Sequence, residues 1–78
     1  MMVICQTNKF VLWEIPASGV VSILHANNTR WDTVHTEKNR WDIYKIDEKG
    51  FWHWIDENNP KHYYSLEEAK IGFLLESI

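Results

Sequence analysis

The sequence predicts an α+β fold, a small antiparallel β-meander of about four to six short strands with one C-terminal α-helix packed on the sheet. Three observations carry that expectation. Runs of β-branched and aromatic residues recur along the first two thirds of the chain, most of them bounded by Gly, Pro, Asn or Asp. Glu48, Lys49 and Gly50 join two such runs with the composition of a three-residue hairpin loop. Ser65, followed three residues later by Glu68, opens the apolar tail of the chain as a helix N-terminus does.

The elements follow in order. Phe10–Ile15 is rich in strand formers and stops at Pro16, which cannot donate to a central ladder. Pro16, Ala17, Ser18 and Gly19 supply a turn, and residues 20–25 read as the hairpin partner of the first strand. A helix over 17–27 is opposed by Gly19 and the β-branched pair Val20 and Val21. Residues 26–29 are a loop by composition. Two similar decades then carry Arg30-Trp31-Asp32 and Arg40-Trp41-Asp42, and read as neighbouring strands joined through Glu37, Lys38 and Asn39.

Residues 51–55 form the next strand, with Gly50 as the left-handed residue of a type I turn plus bulge. This loop sets Asp47 against Phe51, Ile46 against Trp52, Lys45 across from His53 and Tyr44 against Trp54. Residues 56–62 are a polar loop in which Pro60 forbids regular structure at Asn59. The helix begins after Ser65, whose capping box with Glu68 is reinforced by the negative charge of Glu67 and Glu68 at the positive end of the helix dipole.

The predicted register places Tyr44, Ile46, Trp52 and Trp54 on one sheet face and Trp41, Ile43, Phe51 and Ile55 on the other. Both faces are apolar, whereas a sheet wet on one side alternates apolar with polar. At about 100° per residue the helix carries one stripe of Leu66, Ala69 and Phe73 and a second, wider one of Ile71, Leu74, Leu75 and Ile78. One stripe suffices to cover one sheet face. The other face and the second stripe need the N-terminal hairpin with Val11, Trp13 and Ile15, a second copy of the chain, or a foreign partner. Gly72, costly inside a helix, points to close approach of another backbone and so to a binding contact there.

Size sharpens the mismatch. With 78 residues, area scaling gives about 5,000 Å² exposed when folded and burial of only about 60% of the unfolded surface. Such a chain holds one domain and compensates with large side chains, here five Trp, three Tyr and three Phe. A single cysteine, Cys5, excludes an intrachain disulfide, and with no basic, apolar leader at the start and no membrane-length apolar run the chain reads as cytoplasmic, with no membrane partner.

Function classes are narrowed by what the residues lack. His25, His35, His53 and His62 show no zinc-ligand spacing with a second cysteine, and Cys5 has no neighbouring cation or base to activate it. Asp42, Asp47, Asp56 and Glu57 are available for acid–base work but read as solvated carboxylates, and there is no phosphate-cradling Gly-rich loop. No enzyme, cofactor or metal is expected. The net charge of −3 falls entirely in residues 40–78 and weighs against duplex DNA. A single-stranded nucleic acid stacking on a Trp-rich sheet is the alternative reading, with Arg30, Arg40 and Lys45 at phosphates; each Arg, however, has an Asp two residues on.

The expectation is therefore a protein-binding module, an inhibitor or adaptor that occludes a partner. Arg30, Trp31, Arg40 and Trp41 are its candidate anchors, because Trp and Arg dominate interface hot spots. Asp56, Glu57, Glu67 and Glu68 are candidate steering charges for a partner that itself binds anions. Ile71, Leu74, Leu75 and Ile78 are the candidate self-association face of a homodimer. In size, acidity and lack of catalytic signature the chain resembles the small phage and mobile-element proteins that obstruct host machinery, a likeness that carries no residues over.

Overall fold

The computed structural model describes residues 2–17, 20–24, 31–35, 37–56 and 58–78, with 20–24 and 31–35 described by their backbone. The fold is α+β, an antiparallel sheet with one C-terminal helix packed on it. Strand β1 (Met2–Gln6) pairs with β2 (Phe10–Ile15), the register slipping between Val3 and Cys5. Strand β2 then pairs antiparallel with β5 (Arg40–Ile46), placing Leu12 opposite Ile43 and Trp13 opposite Asp42. The far edge of β5 is shared by two short strands, β6 (Trp52–Trp54) along its C-terminal half and β7 (Lys61–Tyr63) along its N-terminal half.

Between β2 and β5 the chain makes a separate two-stranded sheet of β3 (Val20–Leu24) and β4 (Trp31–His35). Two expectations are corrected here. Residues 20–24 pair with β4 and not with β2, and the strands carrying the two Arg-Trp-Asp motifs lie in different sheets, because β5 offers both its edges to β2, β6 and β7. Composition cannot distinguish a hairpin that joins the main sheet from one inserted beside it. The loop expected at 26–29 and part of the turn at 16–19 lie outside the described residues.

The β5–β6 hairpin forms as its loop composition dictates. Gly50 has φ +88°, the left-handed conformation that only glycine adopts without strain. Its N–H donates to the Asp47 carbonyl at 3.0 Å, and the Asp47 N–H donates to the Phe51 carbonyl at 3.0 Å. Tyr44, Lys45 and Ile46 stand opposite Trp54, His53 and Trp52, as expected. Strands β1 and β7 occur where the sequence signals none. Lys61, His62 and Tyr63 are drawn into the sheet by the open edge of β5, which they pair with across a polar loop.

Helix α1 (Leu66–Ser77) starts at the N-cap Ser65, whose hydroxyl accepts from the Glu68 N–H at 3.4 Å. Its inner side buries Ala69, Gly72 and Phe73 against β2, β5 and β7. One core layer thus joins Leu12, Trp41, Ile43, Ala69 and Phe73, with Ile4, Cys5, Phe10, Ile55, Tyr63 and Leu66 around them. The second layer, on the opposite sheet face, joins Val11, Trp13, Ile15 and Tyr44 with Ile46, Trp52 and Trp54. Val11, Trp13 and Ile15 do not curl over that face; they belong to it, since β2 is a central strand. Val11, Ile15 and Tyr44 are nonetheless fully buried, and β3 runs beside β6. The accessible surface of 5217 Å² agrees with the value expected from mass.

Gly72 owes its place to Tyr63. A Cβ at this position would overlap the Tyr63 hydroxyl and stand 2.6 Å from its Cζ, so the close approach is made by a side chain of the same chain and not by another backbone. Gly72→Ala is expected to lose stability on balance. Overpacking costs about 1–3 kcal/mol, against a gain in helix propensity of about 1 kcal/mol. Combined with Tyr63→Leu, which frees the space, the alanine should cost less than it does alone; urea unfolding of the four chains of that double-mutant cycle measures the coupling.

Candidate functional site

Several of the residues singled out from the sequence are placed by the structure. Trp41 is 9% exposed and packed between sheet and helix, so its ring belongs to the core and is closed to a partner. Arg40 is turned inward, with Nη2 donating to Asp42 Oδ2 at 2.7 Å. The local charge pairing expected from an Arg followed two residues later by an Asp is realised there. Arg30 and Glu57 lie outside the described residues, and Trp31 is placed by its backbone as the first residue of β4. Asp56 is exposed and engaged in its own turn, accepting from the Asn58 N–H at 2.9 Å. Glu67 and Glu68 are exposed in the first helical turn.

The described indoles are consumed by the fold. Trp13 meets Tyr44 edge-on at 5.5 Å and Trp52 at 5.0 Å, while Trp54 lies against Tyr44 at 4.7 Å. Such pairs add about 0.5–1.5 kcal/mol each to area burial. Trp13 is 4% exposed, and Trp52 and Trp54 are half-buried in the same aromatic layer.

Asp42 departs most from expectation. It does not sit solvated; it is fully buried, because its place on β5 points it into the layer of Trp13 and Tyr44. Three donors surround it. Besides Arg40, the Tyr44 hydroxyl donates to Oδ2 at 3.1 Å and His62 Nδ1 donates to Oδ1 at 2.9 Å. The bond fixes the imidazole so that Nε2 points away from the carboxylate, with the ring edge-on to Trp54 at 5.0 Å. The Tyr44 phenol is raised beyond the usual tyrosine range, first by burial and then by the Asp42 charge beside it. It therefore remains a donor at any physiological pH. His62 escapes sequence reading because it is 20 residues from Asp42 and is carried by β7.

Among the described residues, two open surfaces bear on function. The outer side of α1 presents Ile71, Leu74, Leu75 and Ile78, which are 60%, 64%, 68% and 99% exposed. They are the second stripe expected from helical periodicity, and neither sheet face takes them up. The other surface is a groove beside the β1–β2 and β5–β6 turns. Asp47 organises its wall, accepting from the N–H groups of Lys49 at 2.8 Å and Phe51 at 2.9 Å and from His53 Nε2 at 2.7 Å. These donors hold the Asp47 carboxyl below the ordinary carboxylate range, the His53 bond foremost and the Phe51 N–H next. Among the described residues no group of three or more His, Cys, Asp or Glu is arranged to hold a metal ion, and no helix is long and apolar enough to cross a membrane.

No protein-family model, curated protein or solved structure matches the chain.

Asp42→Asn removes the charge that Arg40 and His62 face inside the protein, and breaking a buried pair in this way costs about 3–5 kcal/mol. Urea unfolding should register a loss of that order; a loss under about 1 kcal/mol would mean that the cluster behaves as a surface pair. The Asp47 carboxyl makes a second prediction. Its depressed value adds stability that is present above the unfolded carboxylate value of about 3.9 and lost as pH falls through the folded one. Stability measured across acid pH should therefore decline less steeply in Asp47→Asn than in the parent chain.

Proposed function

We propose that the chain is a non-enzymatic protein-binding module that docks through the outer stripe of α1, and that the occupant of the stripe is a second copy of the chain. The observation that carries this reading is the exposure of Ile71, Leu74, Leu75 and Ile78 on a helix whose other side is fully engaged. Contiguous apolar surface of this kind usually marks an interface.

Magnitudes favour a like partner. Four such side chains contribute at most about 6–12 kcal/mol on full burial, whereas association costs roughly 4–15 kcal/mol in lost freedom. One stripe against a polar surface leaves little. Two copies meeting stripe to stripe double the buried apolar area for the same entropic cost, and a twofold contact needs no further surface. The acidic first turn sets the direction. Glu67 and Glu68 repel their equivalents in a parallel pair, while antiparallel packing separates them and opposes the helix dipoles. Asp42 supports the non-enzymatic part of the reading, since its carboxylate is fully buried and already holds three donors.

Sedimentation equilibrium should return a mass above 9.4 kDa that rises with concentration and is insensitive to salt. Leu74→Glu and Leu75→Glu should each return the monomer with unchanged far-ultraviolet circular dichroism. A parent chain that stays monomeric at every concentration would remove the homodimer, and dimers that survive both substitutions would remove the stripe as their interface.

A further inference from the structure

Leu12, Trp41 and Ile43 lie beneath the helix, and further along the same sheet face Phe10, Lys45, His53 and Phe51 lead from that core toward the turns. There the β1–β2 and β5–β6 turns stand side by side, tied by the Ile46 N–H donating to the Lys9 carbonyl at 2.7 Å. Between them opens a groove of about 880 Å³, within the range of small-molecule sites.

Its walls are held firmly. Thr7 Oγ1 accepts from the N–H groups of Lys9 at 3.1 Å and Phe10 at 3.0 Å, fixing one turn, while Asp47 fixes the other. Phe10 and Phe51 are half-buried rings that still face the space. Lys9, Lys45 and Lys49 stand around it, and among the described residues none of the three ammonium groups has an ion-pair partner. Glu48 is the one acid of the lining whose charge is not already taken by donors, since Asp47 is bound to His53 and two backbone N–H groups. The lining is thus locally positive in a chain whose net charge is −3.

We infer that this groove is a ligand site for a nucleoside phosphate, the planar base resting against Phe10 and Phe51 and the phosphate held by Lys9, Lys45 and Lys49. The pairing of aromatic floor and unpaired lysines is what selects the class. Two rings at the contact suit the flat face of a base, the three lysines suit a phosphate, and a ligand carrying both groups uses the whole lining. The opposed acidic surface elsewhere disfavours a long polyanion, so the ligand is a free nucleotide and not a strand, although both share the same chemistry at one residue. This site is independent of the helix stripe and stands or falls separately from the dimer.

Amide shift perturbation on the full chain tests the inference, with adenosine monophosphate as probe and adenosine, inorganic phosphate and a short oligothymidylate as comparators. The expected result is saturable shifts at Lys9, Phe10, Lys49, Phe51 and His53, with adenosine and phosphate each binding more weakly. Lys45→Glu and Lys49→Glu, both at exposed unpaired positions, should each weaken the nucleotide by about tenfold or more while leaving the remaining spectrum in place. Phosphate alone binding as well as the nucleotide would overturn it. So would an oligonucleotide that binds more tightly, shifts confined to other regions, or no saturable shift at all.

Discussion

Trp41 and Ile43 on one side of β5 and Asp42 and Tyr44 on the other are all withdrawn from water, so this strand must be covered twice within a chain of 78 residues. A domain this small cannot ordinarily close two layers over one strand, since it hides only about 60% of its unfolded surface. It succeeds by spending its largest side chains there. Trp13, Tyr44, Trp52 and Trp54 pack against one another on one face, and α1 brings Ala69 and Phe73 down on the other. Both edges of β5 are also occupied, by β2 and by the tandem β6 and β7.

From that double burial the rest follows. Asp42, placed on a strand with no wet side, must be satisfied internally, and Arg40, Tyr44 and His62 converge to do so. His62 reaches it only because β7 is drawn onto the edge of β5. The helix is fixed by one stripe against the sheet, with Gly72 admitting the Tyr63 ring, and this leaves its opposite stripe outward. Phe10 packs on the edge of the helix-covered core and also lines the groove with Phe51, where the two turns meet.

Much of this was legible in the sequence, and the divisions are physical. The β5–β6 hairpin was readable because Gly50 and a three-residue loop specify both turn and register locally. The two-faced sheet and the two-striped helix were readable because periods of 2 and about 3.6 residues map side chains to faces without tertiary information. What escaped depends on contacts distant in the chain. Strand β7 exists by pairing with β5 across a polar loop, and the β3–β4 hairpin pairs with itself although its composition suits the main sheet equally well. The candidate site shows the same division. The stripe of Ile71, Leu74, Leu75 and Ile78 follows from periodicity, whereas Trp41 and Arg40 look like interface anchors by residue type and are consumed by the core. The groove escaped entirely, because it joins two turns whose proximity is set by the register of β2 on β5.

If β5 is the strand on which both layers are built, its amides should open only when the whole chain unfolds. Residue-resolved hydrogen exchange under native conditions measures this directly. The account predicts that the Ile43 and Tyr44 amides exchange most slowly, with an opening free energy equal to that of global unfolding, and that β1 and the last turn of α1 exchange well before them. Amides of β5 that exchange as fast as those of β1 would contradict it, because the centre of the fold would then lie elsewhere.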